Sequence, residues 1–120
     1  MKRILIVEDS IVMQALLARC LEPLGATITI ADNGENGYKL LSDEPFDLAI
    51  VDHGLPGEMS GGALVILMHD KGCRVPFVMV TGFAGYEIPM VARGIAETII
   101  KKPFDYQALR ALAKEILERP

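Results

Sequence analysis

The sequence predicts an α/β domain, a single doubly wound (βα)5 unit whose five-stranded parallel sheet carries helices on both faces. Three observations predict it. Five short apolar or β-branched runs recur along the chain, at Arg3–Val7, Thr27–Ala31, Asp47–Asp52, Val75–Val80 and Thr98–Lys101. Segments with helical spacing of apolar residues separate them, and such alternation builds βαβ units whose right-handed crossovers enforce parallel pairing. The first, third and fourth runs are apolar almost throughout, as a strand covered on both sides must be.

Each helix has its own signal. Ser10 caps the first, whose apolar positions are Met13, Leu16, Leu17, Cys20, Leu21 and Leu24; Pro23 should end or distort its last turn, with Gly25 in the left-handed position beyond. The second run alternates Thr and Ile, which suits an edge strand. Asn33-Gly34 opens a second helix through Leu41, weakened by Gly37 and stopped by Pro45. A third helix spans about Gly62 to His69. Asp105 caps the last, with Leu109, Leu112, Ala113, Ile116 and Leu117 on one face. Between Thr81 and Thr98, Gly85, Pro89 and Gly94 disfavour a helix interior, so the fourth is expected to be short or irregular.

Composition narrows the function. With 120 residues the chain is expected to form one domain, residues 1–120, with no effector domain and no need of a disulfide or structural metal. Cys20 and Cys73 lack metal-site or redox spacing and fit a reducing, cytoplasmic compartment. A formal net charge of −4 and the absence of a basic stripe exclude a general nucleic-acid surface. Hydrophobic residues make up 51%, yet no apolar run approaches the roughly 20 residues of a membrane span, and the short apolar run after Lys2-Arg3 ends at once in Glu8-Asp9, which is not the shape expected of a signal peptide.

The chemistry concentrates at the strand ends. In a parallel sheet the carboxyl ends of all strands share one edge, which is where ligands bind in open α/β folds. Glu8 and Asp9 follow the first strand, Asp52 ends the third before the loop His53-Gly54-Leu55-Pro56-Gly57, Thr81 follows the fourth and Lys102 the fifth. Three carboxylates brought together repel one another unless a proton or a cation offsets the charge, and an all-oxygen set suits Mg²⁺. With Lys102 as a point charge and Thr81 as a hydroxyl donor, the edge has what a phosphoryl group on Asp52 would need, Asp52 acting as nucleophile.

In VED at residues 7 to 9, the aspartate of IVDHGLPG, TG at 81 and 82, and KPF at 102 to 104, the chain resembles two-component response regulator receiver domains along its whole length. The resemblance implies a flavodoxin-like, chemotaxis-Y-like fold with strand order 2-1-3-4-5 and a cis peptide before Pro103. It implies Asp52 as phosphoacceptor, Asp9 as a direct Mg²⁺ ligand, Glu8 as an acidic partner acting through water, and the Gly54 backbone carbonyl as a further ligand. Thr81 and Lys102 would bind the phosphoryl oxygens. A histidine kinase or histidine phosphotransfer protein would be the donor, and the output a switch in protein contacts. The chain departs from the family pattern in Ile99, where an aromatic switch residue is usual, in a loop after Pro56 that is one residue longer, and in the displaced Gly94.

Other classes fit less well. A flavin binder needs an anion-binding turn after the first strand, where Glu8-Asp9 would repel a phosphate. An aspartate-nucleophile phosphohydrolase would carry a second acid where Gly54 stands. A pseudo-receiver acting only as a docking module should have lost its acidic and lysine positions. His53 is expected to be a loop spacer, with an acid/base role as the alternative.

Overall fold

The computed structural model describes residues 1–82 and 88–120. Five strands, β1 (Arg3–Val7), β2 (Thr27–Ala31), β3 (Leu48–Asp52), β4 (Phe77–Thr81) and β5 (Thr98–Lys101), form one parallel sheet in the order β2-β1-β3-β4-β5. The helices are α1 (Ile11–Leu21), α2 (Gly34–Asp43), α3 (Gly61–Asp70), α4 (Met90–Ile95) and α5 (Tyr106–Leu117).

Period-two alternation along the strands makes two cores. Leu5, Val7, Ala49, Val51, Phe77 and Met79 point to one face, where Leu41 of α2, Leu64, Val65 and Met68 of α3 and Ala92 of α4 cover them. Ile4, Ile6, Leu48, Ile50, Val78 and Val80 point to the other, under Leu17, Cys20 and Leu21 of α1 and Leu109, Ala113, Ile116 and Leu117 of α5. β3 and β4 are buried at every residue, whereas β2 and β5, at the edges, keep half-exposed positions. Sheet position thus explains why only the central strands are continuously apolar.

Several boundaries move for local reasons. β3 begins at Leu48; before it, Asp47 donates its N–H to the Arg3 carbonyl at 2.8 Å, and its carboxylate rather than a backbone carbonyl accepts the Arg3 N–H at 2.8 Å. β4 begins at Phe77, after Pro76, which has no N–H for a ladder, and runs one residue further than expected, through Thr81. The apolar stripe of α1 is narrower than its sequence, since Leu16 is exposed while Leu17, Cys20 and Leu21 are buried. α1 gives way to a 3-10 turn at Glu22–Leu24 that contains Pro23, and Gly25 follows with φ 74°. α4 is six residues long, as its proline and glycines require. Residues 83–87, within the stretch expected to be irregular, lie outside the described residues. The peptide between Lys102 and Pro103 is cis.

Candidate functional site

Among the described residues, the buried side chains that are polar or charged are Glu8, Asp52 and Thr81, and all three stand at the carboxyl edge of the sheet. Burial of such groups is costly unless partners are supplied, so their grouping at one edge needs a reason. The strands supply the geometry. Val7 pairs with Val51 and Asp52 with Val80, so the chain positions just beyond β1, at the end of β3 and at the end of β4 lie side by side. Thr81 in turn pairs with Lys101, and its carbonyl accepts the Lys102 N–H at 2.7 Å.

Lys102 ties the carboxylates together. Its Nζ donates to Glu8 Oε1 at 3.0 Å and to Asp52 Oδ2 at 3.3 Å. The other Glu8 oxygen accepts the Ser10 N–H at 3.0 Å, and the Glu8 backbone is fixed by its N–H to the Ala31 carbonyl and by the Gln14 side chain on its own carbonyl. Burial raises the Glu8 pKa, more than the Ser10 and Lys102 hydrogen bonds lower it, and the Asp52 charge adds to the rise. Burial alone would lower Lys102; its hydrogen bond to Glu8 and the fields of Asp52 and Glu8 outweigh that and hold the ammonium above its ordinary value. The lysine therefore stays charged.

Asp9 differs from Glu8 in being exposed. One carboxylate oxygen each from Glu8, Asp9 and Asp52 falls within a 4.8 Å span, a spacing that can hold a divalent cation. All-oxygen donors with one exposed member suit Mg²⁺, which keeps part of its water shell. The Gly54 N–H donates to Asp52 Oδ1 at 3.2 Å, which brings this loop residue against the same carboxylate.

The loop after Asp52 is fastened on two sides. α3 begins directly on the end of β3: a Cβ at Gly61 would sit 2.1 Å from the Asp52 carbonyl oxygen, so only glycine fits. Met59 lies over the first residue of α2, where a Cβ at Gly34 would come within 2.6 Å of the Met59 carbonyl oxygen. His53 is more than a spacer. Its carbonyl accepts the N–H groups of Leu55 and Gly61, and its ring Nδ1 accepts the N–H of Gly62 at 3.2 Å. Sequence reasoning missed this cap; the available signal was the Gly61-Gly62 pair, which opens a helix without side chains to shield its N–H groups.

The expected side chains Glu8, Asp9, Asp52 and Lys102 are thus brought together, with Thr81 on the adjoining strand and Gly54 on the loop. No described helix is long and apolar enough to cross a membrane.

Residues 4–114 match the family profile described as the response regulator receiver domain. The chain is similar to the response regulator receiver protein CpdR of Brucella abortus (strain 2308), with 34% identity over 97% of this chain and 94% of the relative. A CheY-like response regulator receiver domain protein from Methanospirillum hungatei JF-1 superposes with a TM-score of 0.88 at 32% identity, covering 98% of this chain and 94% of the other. The response regulator protein TrrA from Thermotoga maritima, solved in complex with Mg²⁺-BeF, does so with a TM-score of 0.87 at 29% identity, covering 98% and 100%. The chain spans about half the length of other curated relatives, whose names describe transcriptional regulatory proteins. It belongs to the response regulator receiver domain family of two-component systems.

Proposed function

We propose that the chain accepts a phosphoryl group on Asp52 from the phosphohistidine of a histidine kinase or histidine phosphotransfer protein, in a Mg²⁺-dependent reaction, and that the modified domain changes its protein contacts. The observation that carries this reading is the gathering of the buried polar side chains Glu8, Asp52 and Thr81 at one sheet edge, with Lys102 bridging two of them. A sheet end with no chemical task would replace them with apolar residues.

In the transfer, an Asp52 oxygen forms the new bond to phosphorus while the phosphorus–nitrogen bond of the donor breaks and its electron pair returns to the imidazole. Mg²⁺, held by Asp9 and Asp52 with the Gly54 carbonyl and with Glu8 reaching it through water, would neutralise charge on the phosphoryl oxygens. Lys102 already contacts Asp52 Oδ2 and is positioned to pair with the incoming phosphoryl oxygen. Thr81 supplies the hydroxyl for another. Ile11 and Val12, both exposed, follow the carboxylates, and a groove of about 720 Å³ lined by Asp9, Ile11, Gln14 and Lys39 gives the donor protein a landing surface. Autodephosphorylation would use the same residues with water as acceptor. One domain, residues 1–120, suffices for this role.

Intact-mass measurement tests the reading. A small phosphodonor with Mg²⁺ should add one phosphoryl group, and Asp52→Asn should abolish it; label persisting in the variant would overturn the assignment. Asp9→Ala should remain folded and lose both Mg²⁺ binding and phosphorylation, and an unchanged Mg²⁺ titration would remove Asp9 from the ligand set.

A further inference from the structure

We infer that His53 is a positioning residue for the phosphoacceptor: its imidazole Nδ1 docks the start of α3 onto the end of β3 and thereby holds the Gly54 backbone against Asp52. The observations are the hydrogen bonds around α3. A helix leaves its first N–H groups without intrahelical partners, and they must find others. Here Gly61 donates to the His53 carbonyl at 3.0 Å, Gly62 to His53 Nδ1 at 3.2 Å and Ala63 to Ser60 Oγ at 3.1 Å. Two of the three go to the single residue that follows Asp52.

The backbone part of that docking is open to any residue at position 53. The ring part is not, since it needs an acceptor atom two bonds beyond Cβ, and the accepting Nδ1 requires the ring proton to sit on Nε2. Position 62 is matched to it. A Cβ on Gly62 would lie 3.2 Å from both His53 Nδ1 and Cε1, and 3.0 Å from Pro89 Cδ, so the imidazole takes space that a side chain at 62 would claim. Residue 53 has two more backbone bonds, its carbonyl accepting the Leu55 N–H and its N–H donating to the Val80 carbonyl, both at 2.9 Å and the latter one residue before Thr81, and the adjoining Gly54 N–H donates to Asp52 Oδ1. Releasing the ring from Gly62 therefore removes the side-chain tie of residue 53, in the turn that carries Gly54, and leaves that residue on its backbone bonds alone.

His53→Asn and His53→Leu separate the acceptor from the volume. Asparagine places Oδ1 near the site of Nδ1, whereas leucine has a similar size and no acceptor. Two amide resonances of the metal-free protein are followed by NMR: Gly62 for hydrogen exchange and Gly54 for its proton shift. A lost hydrogen bond of about 1 kcal/mol should speed Gly62 exchange in His53→Leu by roughly five- to tenfold, with an upfield move of the Gly54 amide proton. His53→Asn should return both toward wild type. Unchanged protection in His53→Leu, an unmoved Gly54 amide, or equal behaviour of the two variants would overturn the inference.

The consequence for phosphoryl acceptance rests on the function proposed above, and Mg²⁺ titration keeps the two apart. If wild type binds Mg²⁺, His53→Leu should bind several-fold more weakly and His53→Asn nearly as well; equal affinity in all three would overturn the positioning role. If wild type binds no Mg²⁺ while Gly62 and Gly54 respond as stated, the proposed function falls and the docking by His53 stands.

Discussion

Two helix starts sit beside the site, and they are built in opposite ways. α3 follows Asp52 and is fastened at each of its first three N–H groups, with glycines that let its backbone rest on the strand end. α4 comes after Thr81 and starts at Pro89, which has no side-chain acceptor to give; it is six residues long and carries exposed Met90 and Val91. The difference teaches where a charge added at Asp52 can be absorbed. The β3–α3 side is over-determined and holds the carboxylate in place, whereas α4, among the described residues, starts without a side-chain cap and is the side expected to move.

The same substitution should have opposite signs on the two sides. Gly61→Ala forces a methyl against the Asp52 carbonyl and should destabilise the fold by about 3 kcal/mol or more, the upper end of overpacking costs. A midpoint of chemical denaturation equal to wild type would mean that α3 is not seated on β3 as described. Gly94→Ala, in the last turn of α4 with nothing within 4 Å of the added carbon, should instead stabilise by roughly 0.5 kcal/mol. A loss of stability there would break the contrast.

The smallest effect is the most informative about signalling. Beryllofluoride with Mg²⁺ mimics the phosphoryl group, and hydrogen exchange should change more over Gly82 and 88–95 than over 53–62. Ile99, half-buried at the edge strand, has no ring or hydroxyl to reorient, so its rotamer should change less than the order of these segments. Protection changes confined to 53–62 would reverse the proposed direction of response. Residues 83–87 belong to the same expected response and lie outside the described residues.

The fold was legible because short apolar runs alternated with segments of helical spacing, and each central strand run ended in a residue that a core has no use for; an apolar run alone would not have sufficed, since Ala63–Met68 is as continuous and lies in α3. Glu8, Asp9, Asp52 and Lys102 could be grouped from sequence because a parallel sheet converts strand order into proximity. The edge placement of β2 followed from its alternating threonines in the same way. What the sequence withheld lies in backbone chemistry. The seating of α3 depends on Gly61 and Gly62, whose message is an absence of side chain, and the ring of His53 acts through an N–H that every residue but proline carries. Ser60, an ordinary cap in retrospect, was hidden because the glycines after it resembled loop rather than helix.

The contact between Met59 and Gly34 has a consequence for how this chain can exchange parts with its relatives. The long loop after Pro56 does not bulge outward; it leans on the first residue of α2, which lacks a side chain where the Met59 carbonyl arrives. Loop and helix start are therefore one inheritable unit. A chimera that receives 53–62 from this chain but keeps a larger residue at the position of Gly34 would have carbonyl and side chain competing for one space, and one that receives the glycine without the loop would carry a gap at the start of α2. The two segments, nineteen or more residues apart, have to travel together.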